Sequence, residues 1–171
     1  LPTVKNFFEY GCGKSTEFVY KYTNANIYSV DTDKFFINQI EKLRGIKRQG
    51  TLNLKWIDVG NVGKWGYPRS YSKRINFRKY ADWPWTLGVD PDIVLIDGRF
   101  RICCFLVTLK NAPVGTKILF DDYFGREEYN IAEEFLNVLD RCGRMAYFET
   151  THDVRHKVTD DIISEFKNVL K

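Results

Sequence analysis

Apolar and polar positions along this chain fall into blocks whose period changes from one block to the next. Residues 4–10 (VKNFFEY) form an apolar run closed by Gly11, the pattern of a buried strand entering a tight turn. Over residues 14–22 the period lengthens, and Phe18, Val19 and Tyr22 share one face of a predicted helix. A second short strand spans residues 26–30 (NIYSV) and ends at Asp31; Thr32 or Asp33 then caps a helix marked by Phe36, Ile40 and Leu43. Residues 51–57 alternate Leu52, Leu54 and Trp56 and read as a third strand. Residues 92–96 (DIVLI) are continuously apolar, as in a strand covered on both faces. Ile102, Phe105, Leu106 and Leu109 stripe the following helix until Pro113 and Gly115 break it. A fifth strand is predicted at residues 117–120. A helix at 127–141 is built on Ile131, Phe135, Val138 and Leu139, a sixth strand lies at 145–148 and a last helix at 159–170.

Repeated strand–helix units predict an α/β fold, doubly wound, with a mostly parallel sheet between two helical layers. The whole of residues 1–171 reads as a single domain. In such a fold ligands bind outside the carboxyl ends of the strands, where the strand order reverses. One stretch breaks the alternation. Residues 61–85 (NVGKWGYPRSYSKRINFRKYADWPW) form a long insertion, both basic and aromatic. Insertions of that length inside a compact domain are usually functional or disordered, and this one is too aromatic for simple disorder.

Composition changes this picture little. Apolar residues make up 44% and charged residues 28% of the chain, ordinary for a globular protein, and the net charge of +4 is mild for a dedicated nucleic-acid binder. The four cysteines, at 12, 103, 104 and 142, have no metal-ligand spacing and predict reduced thiols in a cytoplasmic protein. No apolar run reaches the about 18 residues of a membrane helix, and no signal peptide precedes Leu1.

The chemistry turns on residues 9–16, EYGCGKST. Gly13-Lys14-Ser15 imitates the end of a P-loop, which would make the chain a nucleotide-binding protein. That motif needs its first glycine at position 8, which is Phe8. The other reading uses more residues. Glu9, Gly11 and Gly13 form E-x-G-x-G at the first strand-to-helix turn, where glycines let backbone approach a ligand. Asp31, at the end of the second strand, can hold both ribose hydroxyls of a nucleoside. A dinucleotide fingerprint would want a third glycine where Thr16 stands.

FFEYGCGKST, IYSVDTD, LKWIDVG and DIVLIDGRFR together resemble the four leading motifs of the class I S-adenosylmethionine-dependent methyltransferases. With the later D-D-Y they resemble a small bacterial-type methyltransferase-like group within that superfamily. The resemblance covers residues 4 to about 150 and implies a Rossmann-like sheet, although no seventh, antiparallel strand is evident after Phe148. It implies S-adenosyl-L-methionine as cofactor, held by Glu9, Gly11, Gly13, Ser15 and Asp31, with Asp58 or its neighbours beside the adenine. Asp97 would act as general base or as an acceptor orienting the substrate, with Arg99 and Tyr123 as substrate contacts.

Asp97, Asp121 and Asp122 end the fourth and fifth strands on one edge of the sheet. They resemble the magnesium-binding acids of catechol-type O-methyltransferases, so Mg2+ is a candidate cofactor; the alternative is that these acids cap turns and pair with Arg99, Arg101 or Arg126. The expected reaction is methyl transfer to oxygen on a small-molecule acceptor, with a non-catalytic binding module as the alternative. Lys64, Arg69, Lys73, Arg74, Arg78 and Lys79 among the aromatics of the insertion could grip RNA, but a lid over the substrate is the preferred reading. His152 and His156 are given no catalytic role.

Overall fold

A computed structural model describes residues 4–45 and 49–170. Seven strands form one sheet in the order β3-β2-β1-β4-β5-β7-β6. Strands β1 (Asn6–Tyr10), β2 (Asn26–Asp31), β3 (Leu52–Trp56), β4 (Ile93–Ile96) and β5 (Lys117–Phe120) are all parallel. The two remaining strands, β6 (Asp140–Cys142) and β7 (Met145–Glu149), make an antiparallel hairpin whose second arm runs antiparallel to β5.

The alternation along β1 explains the layering. Phe7 faces one side and packs with Val19, Tyr20, Ile27, Ile37 and Ile40, joining α1 (Lys14–Tyr22) and α2 (Lys34–Glu41) to the sheet. Phe8 and Tyr10 face the other side and pack with α3 (Phe77–Asp82), α4 (Arg101–Asn111), α5 (Val154–Lys157) and α6 (Asp160–Phe166). Nearly every side chain of α4 is buried, including Cys103, Cys104 and Phe105. A helix sunk this far into the core fixes the end of β4, and with it the loop of residues 97–100.

Three sequence expectations are revised. The helix expected at 127–141 is a 3-10 turn over Glu127–Glu134, followed by irregular chain and then β6. Gly143, with φ +61°, makes the tight turn that pairs Cys142 with Met145. The additional antiparallel strand is therefore β6, ahead of the strand that contains Phe148 rather than after it. The insertion, in turn, is split: Phe77, Tyr80, Ala81 and Pro84 are buried and belong to the core, whereas most side chains of residues 61–75 are exposed.

Strand order reverses between β1 and β4, whose neighbours lie on opposite sides, and a cleft opens there at the carboxyl ends of the strands.

Candidate functional site

The cleft has a volume of about 720 Å3. Its floor is two strand-end turns pressed together. Gly11 has φ +93°, and a Cβ there would lie 2.6 Å from the Cα of Gly98. A Cβ on Gly98 would lie 2.0 Å from the Tyr80 hydroxyl and 2.8 Å from the Gly11 nitrogen. The two glycines thus let the β1 and β4 turns touch. Gly13 is different: its φ is extended, and an added Cβ would meet nothing within 4 Å. It leaves open space in the wall of the cleft.

Glu9 lies behind this loop rather than in the cleft. It is fully buried and accepts hydrogen bonds from the hydroxyls of Ser15 (2.5 Å), Ser29 (2.6 Å) and Thr16. Burial pushes its carboxyl up to about 7, against the opposing pull of those hydroxyls. Glu9 therefore ties β1, β2 and the start of α1 together, and the direct cofactor contact expected of it is not what this geometry provides. Ser15 borders the cleft, but its hydroxyl is committed to Glu9.

Asp31 borders the cleft and is 7% exposed. One carboxylate oxygen accepts from the Cys12 amide at 2.9 Å, the other from the Asp33 amide at 2.7 Å. Each oxygen keeps a lone pair for a ligand. Burial pushes this acid up to about 6. Asp33 caps α2 through the Phe35 amide, which leaves Asp31 free of that task.

Next to Asp31 the insertion contributes a wall. The Thr32 hydroxyl donates to the Gly66 carbonyl at 2.8 Å, and a Cβ on Gly66 would lie 2.4 Å from that hydroxyl oxygen. Held by this contact, Trp65 takes a left-handed conformation (φ 61°) and stands 67% exposed. Its ring lies nearly parallel to that of Phe36, at 6.3 Å. Both residues line the cleft. The sequence pattern puts Phe36 in a core stripe and Trp65 in a lid; the usable signal is the aromatic five residues beyond the strand-end acid. Asp58 is elsewhere. It accepts from the Gly60 amide at 3.0 Å and pairs with Lys73, which lowers its pKa, and it does not line the cleft.

The opposite end is organised by arginines. Arg101, 2% exposed, donates to the carbonyls of Gly98 (3.0 Å), Asp121 (2.6 Å) and Asp97 (3.1 Å), and to the Asp97 carboxylate at 3.1 Å. It staples the ends of β4 and β5 together, a role whose only sequence signal is a lone charge opening an apolar helix. Burial pushes the Asp97 carboxyl up to about 6; Arg101 pulls it back, and Asp121, within hydrogen-bonding reach, adds to the rise.

Asp122, in a left-handed conformation (φ 54°), pairs with Arg126 at 2.7 Å and with Arg144. The guanidinium of Arg101 lies 3.9 Å from it. Among the described residues no three His, Cys, Asp or Glu side chains gather so as to hold a metal ion. The physical reason is that guanidinium groups already take the charge of Asp122 and Asp97. The Mg2+ expectation for Asp97, Asp121 and Asp122 is therefore not met by this donor set. Tyr123 also leaves the site: it is buried among Phe120, Tyr129 and Phe148, its hydroxyl donating to Glu133 at 3.0 Å. Arg99 does line the cleft.

The loop of residues 11–15 does not suit a triphosphate. Phe8 is buried inside β1, the Cys12 amide is turned onto Asp31, and a second carboxyl, Glu9, lies behind. The Gly11 amide donates to the Val30 carbonyl and the Gly13 amide to the Thr16 hydroxyl, so these amides are not turned out to cradle phosphate.

No protein-family model matches the chain, and no curated protein matches it in sequence. Among solved structures it is similar to a methyltransferase-like protein from Silicibacter pomeroyi, at 28% identity and a TM-score of 0.83, over 96% of this chain and 88% of that one. It is similar in fold to the N-methyltransferase NodS of Bradyrhizobium japonicum, solved with S-adenosyl-L-homocysteine (13% identity, TM-score 0.54, 87% and 79% of the two chains). A third likeness is to the rRNA methyltransferase AviRa of Streptomyces viridochromogenes (10% identity, TM-score 0.53, 90% and 79%).

Proposed function

We propose that this chain, which has the fold of the class I S-adenosylmethionine-dependent methyltransferases, binds S-adenosyl-L-methionine in the cleft and transfers its methyl group to an oxygen of a small molecule. The observation that carries this reading is Asp31: a buried carboxyl at the end of β2, bordering the cleft, with both oxygens still able to accept. A vicinal diol presents two donors at the spacing of one carboxylate. The adenine would lie against Trp65 and Phe36, and the amino-acid end would pass the open space at Gly13 toward β4.

When bound, the cofactor supplies an electrophilic methyl on a sulfonium. The protein's part is alignment and the handling of one proton. Asp97 stands at the end of β4 inside the cleft, with its carboxyl held by Arg101. With its pKa near 6 it is mostly ionised at neutral pH and can accept the proton of an attacking hydroxyl. Asp97 would take up the proton that the acceptor hydroxyl gives up on methylation. The arginines satisfy the neighbouring acids, so no metal is needed to hold that end of the cleft together.

RNA as the acceptor is the weaker reading. Of the basic residues in the insertion, Lys73 pairs with Asp58, and Arg78 with Asp82 and Asp160. The experiment is a calorimetric titration with S-adenosylhomocysteine and, separately, with ATP. Binding of the first alone is expected; binding of ATP alone rejects the reading.

A further inference from the structure

The arginines at the β4–β5 end of the cleft pair with carboxylates, with one exception among the described residues. Arg101 is matched by Asp97, and Arg126 and Arg144 by Asp122. Arg99 also lines the cleft, half-buried, yet its Nε is buried without a hydrogen-bond partner among the described residues. The charges acting on it most strongly include the like charges of Arg101 and Arg126, and no carboxylate is among them. Burial and Arg101 push its pKa down. Its Nε–H is out of water and without an acceptor, a costly state that an incoming anion relieves. Its planar fork suits a carboxylate or a phosphate.

We propose that the methyl acceptor carries a carboxylate or phosphate group, which Arg99 receives beside Asp97. This rests on the methyltransferase reading and adds the acceptor's class: an anion bearing a hydroxyl a short distance away. The same chemistry could come from the carboxylate of the cofactor itself. The cleft argues for the acceptor, because Arg99 follows Asp97 and Gly98 on the β4 turn and shares the cleft with Asp121 and Arg126 at the end opposite Asp31.

The test uses the full chain saturated with S-adenosylhomocysteine. Inorganic phosphate and benzoate are titrated in while the Arg99 Nε–H resonance is followed, with Arg99→Met identifying the signal. Saturable shifts are expected with one or both probes. Affinity should fall at least tenfold in Arg99→Met and be partly retained in Arg99→Lys, while S-adenosylhomocysteine affinity stays within twofold in both variants. Absence of any probe binding, or probe binding unchanged in Arg99→Met, overturns the proposal. So does a tenfold loss of S-adenosylhomocysteine affinity in Arg99→Met, which would give Arg99 to the cofactor's carboxylate. Failure of the wild type to bind S-adenosylhomocysteine at all is a separate result, against the methyltransferase reading itself.

Discussion

At the β1–β2 end of the cleft, Asp31 and Glu9 accept hydrogen bonds from backbone amides and hydroxyls, and no cation among the described residues pairs with either. At the β4–β5 end, Asp97 and Asp122 face Arg101, Arg126 and Arg144. Both ends hold acids, but by different means. Neutral donors leave Asp31 with acceptor capacity for a neutral diol. Guanidinium groups pair with Asp97 and Asp122 at the other end, and Arg99 is left without a carboxylate partner among the described residues. The difference is what the two proposals rest on: a hydroxyl-bearing nucleoside at the first end and an anion at the second.

The sharpest way to break the comparison is at the seam between the two ends. Gly98→Ala puts a methyl against the Tyr80 hydroxyl and the Gly11 backbone, and should destabilise the fold by about 3 kcal/mol or more while abolishing S-adenosylhomocysteine binding. Adding Tyr80→Phe should recover only part of the loss, because the backbone contact remains. Denaturant melts of the single and double variants check this.

Next in size is the pH response of the neutral-donor end. Glu9 titrates near its ordinary 4.5 when unfolded and at about 7 when folded. Stability from its protonated form is thus complete below pH 4.5 and is lost as pH rises to about 7, on the order of 3 kcal/mol in all. Asp31 and Asp97 finish the same kind of loss by about pH 6. The fall between pH 6 and 7 in urea midpoints should therefore vanish in Glu9→Gln.

Asp31→Ala comes third. It removes the diol acceptor and strands the Cys12 amide, so S-adenosylhomocysteine affinity should drop about 50-fold by calorimetry, on the order of 2 kcal/mol. Asp31→Asn should lose less. Smallest is Trp65→Ala, with an affinity loss of about tenfold from the lost stacking surface. Trp65→Phe should keep most of the affinity, and quenching of wild-type tryptophan fluorescence on titration gives the same answer independently.

Much of this architecture is legible in the amino-acid sequence. The helix at Lys14–Tyr22 and the strand at Lys117–Phe120 coincide with the expected residues, and Asp31 falls at the predicted strand end, because local period and burial agree there. The hairpin of β6 and β7 is not legible. Asp140, Arg141 and Cys142 are an exposed edge strand with no apolar face to betray it, and the spacing of Ile131, Phe135, Val138 and Leu139 imitates a helix. Within the site, the sequence marks which acids end strands but not what they meet. Glu9 turns to three hydroxyls, Asp58 to Lys73, Tyr123 to Glu133, and only tertiary packing decides this. Trp65 escapes for the same reason: its place depends on Gly66 closing onto Thr32 across 34 residues of chain.

A crystal structure of the chain with S-adenosylhomocysteine tests the central claim most directly. The ribose hydroxyls are expected on the Asp31 carboxylate, the adenine against Trp65 and Phe36, and the sulfur facing the β4 turn at Asp97. A ligand bound elsewhere, or a nucleoside in the cleft with Asp31 left untouched, would contradict it.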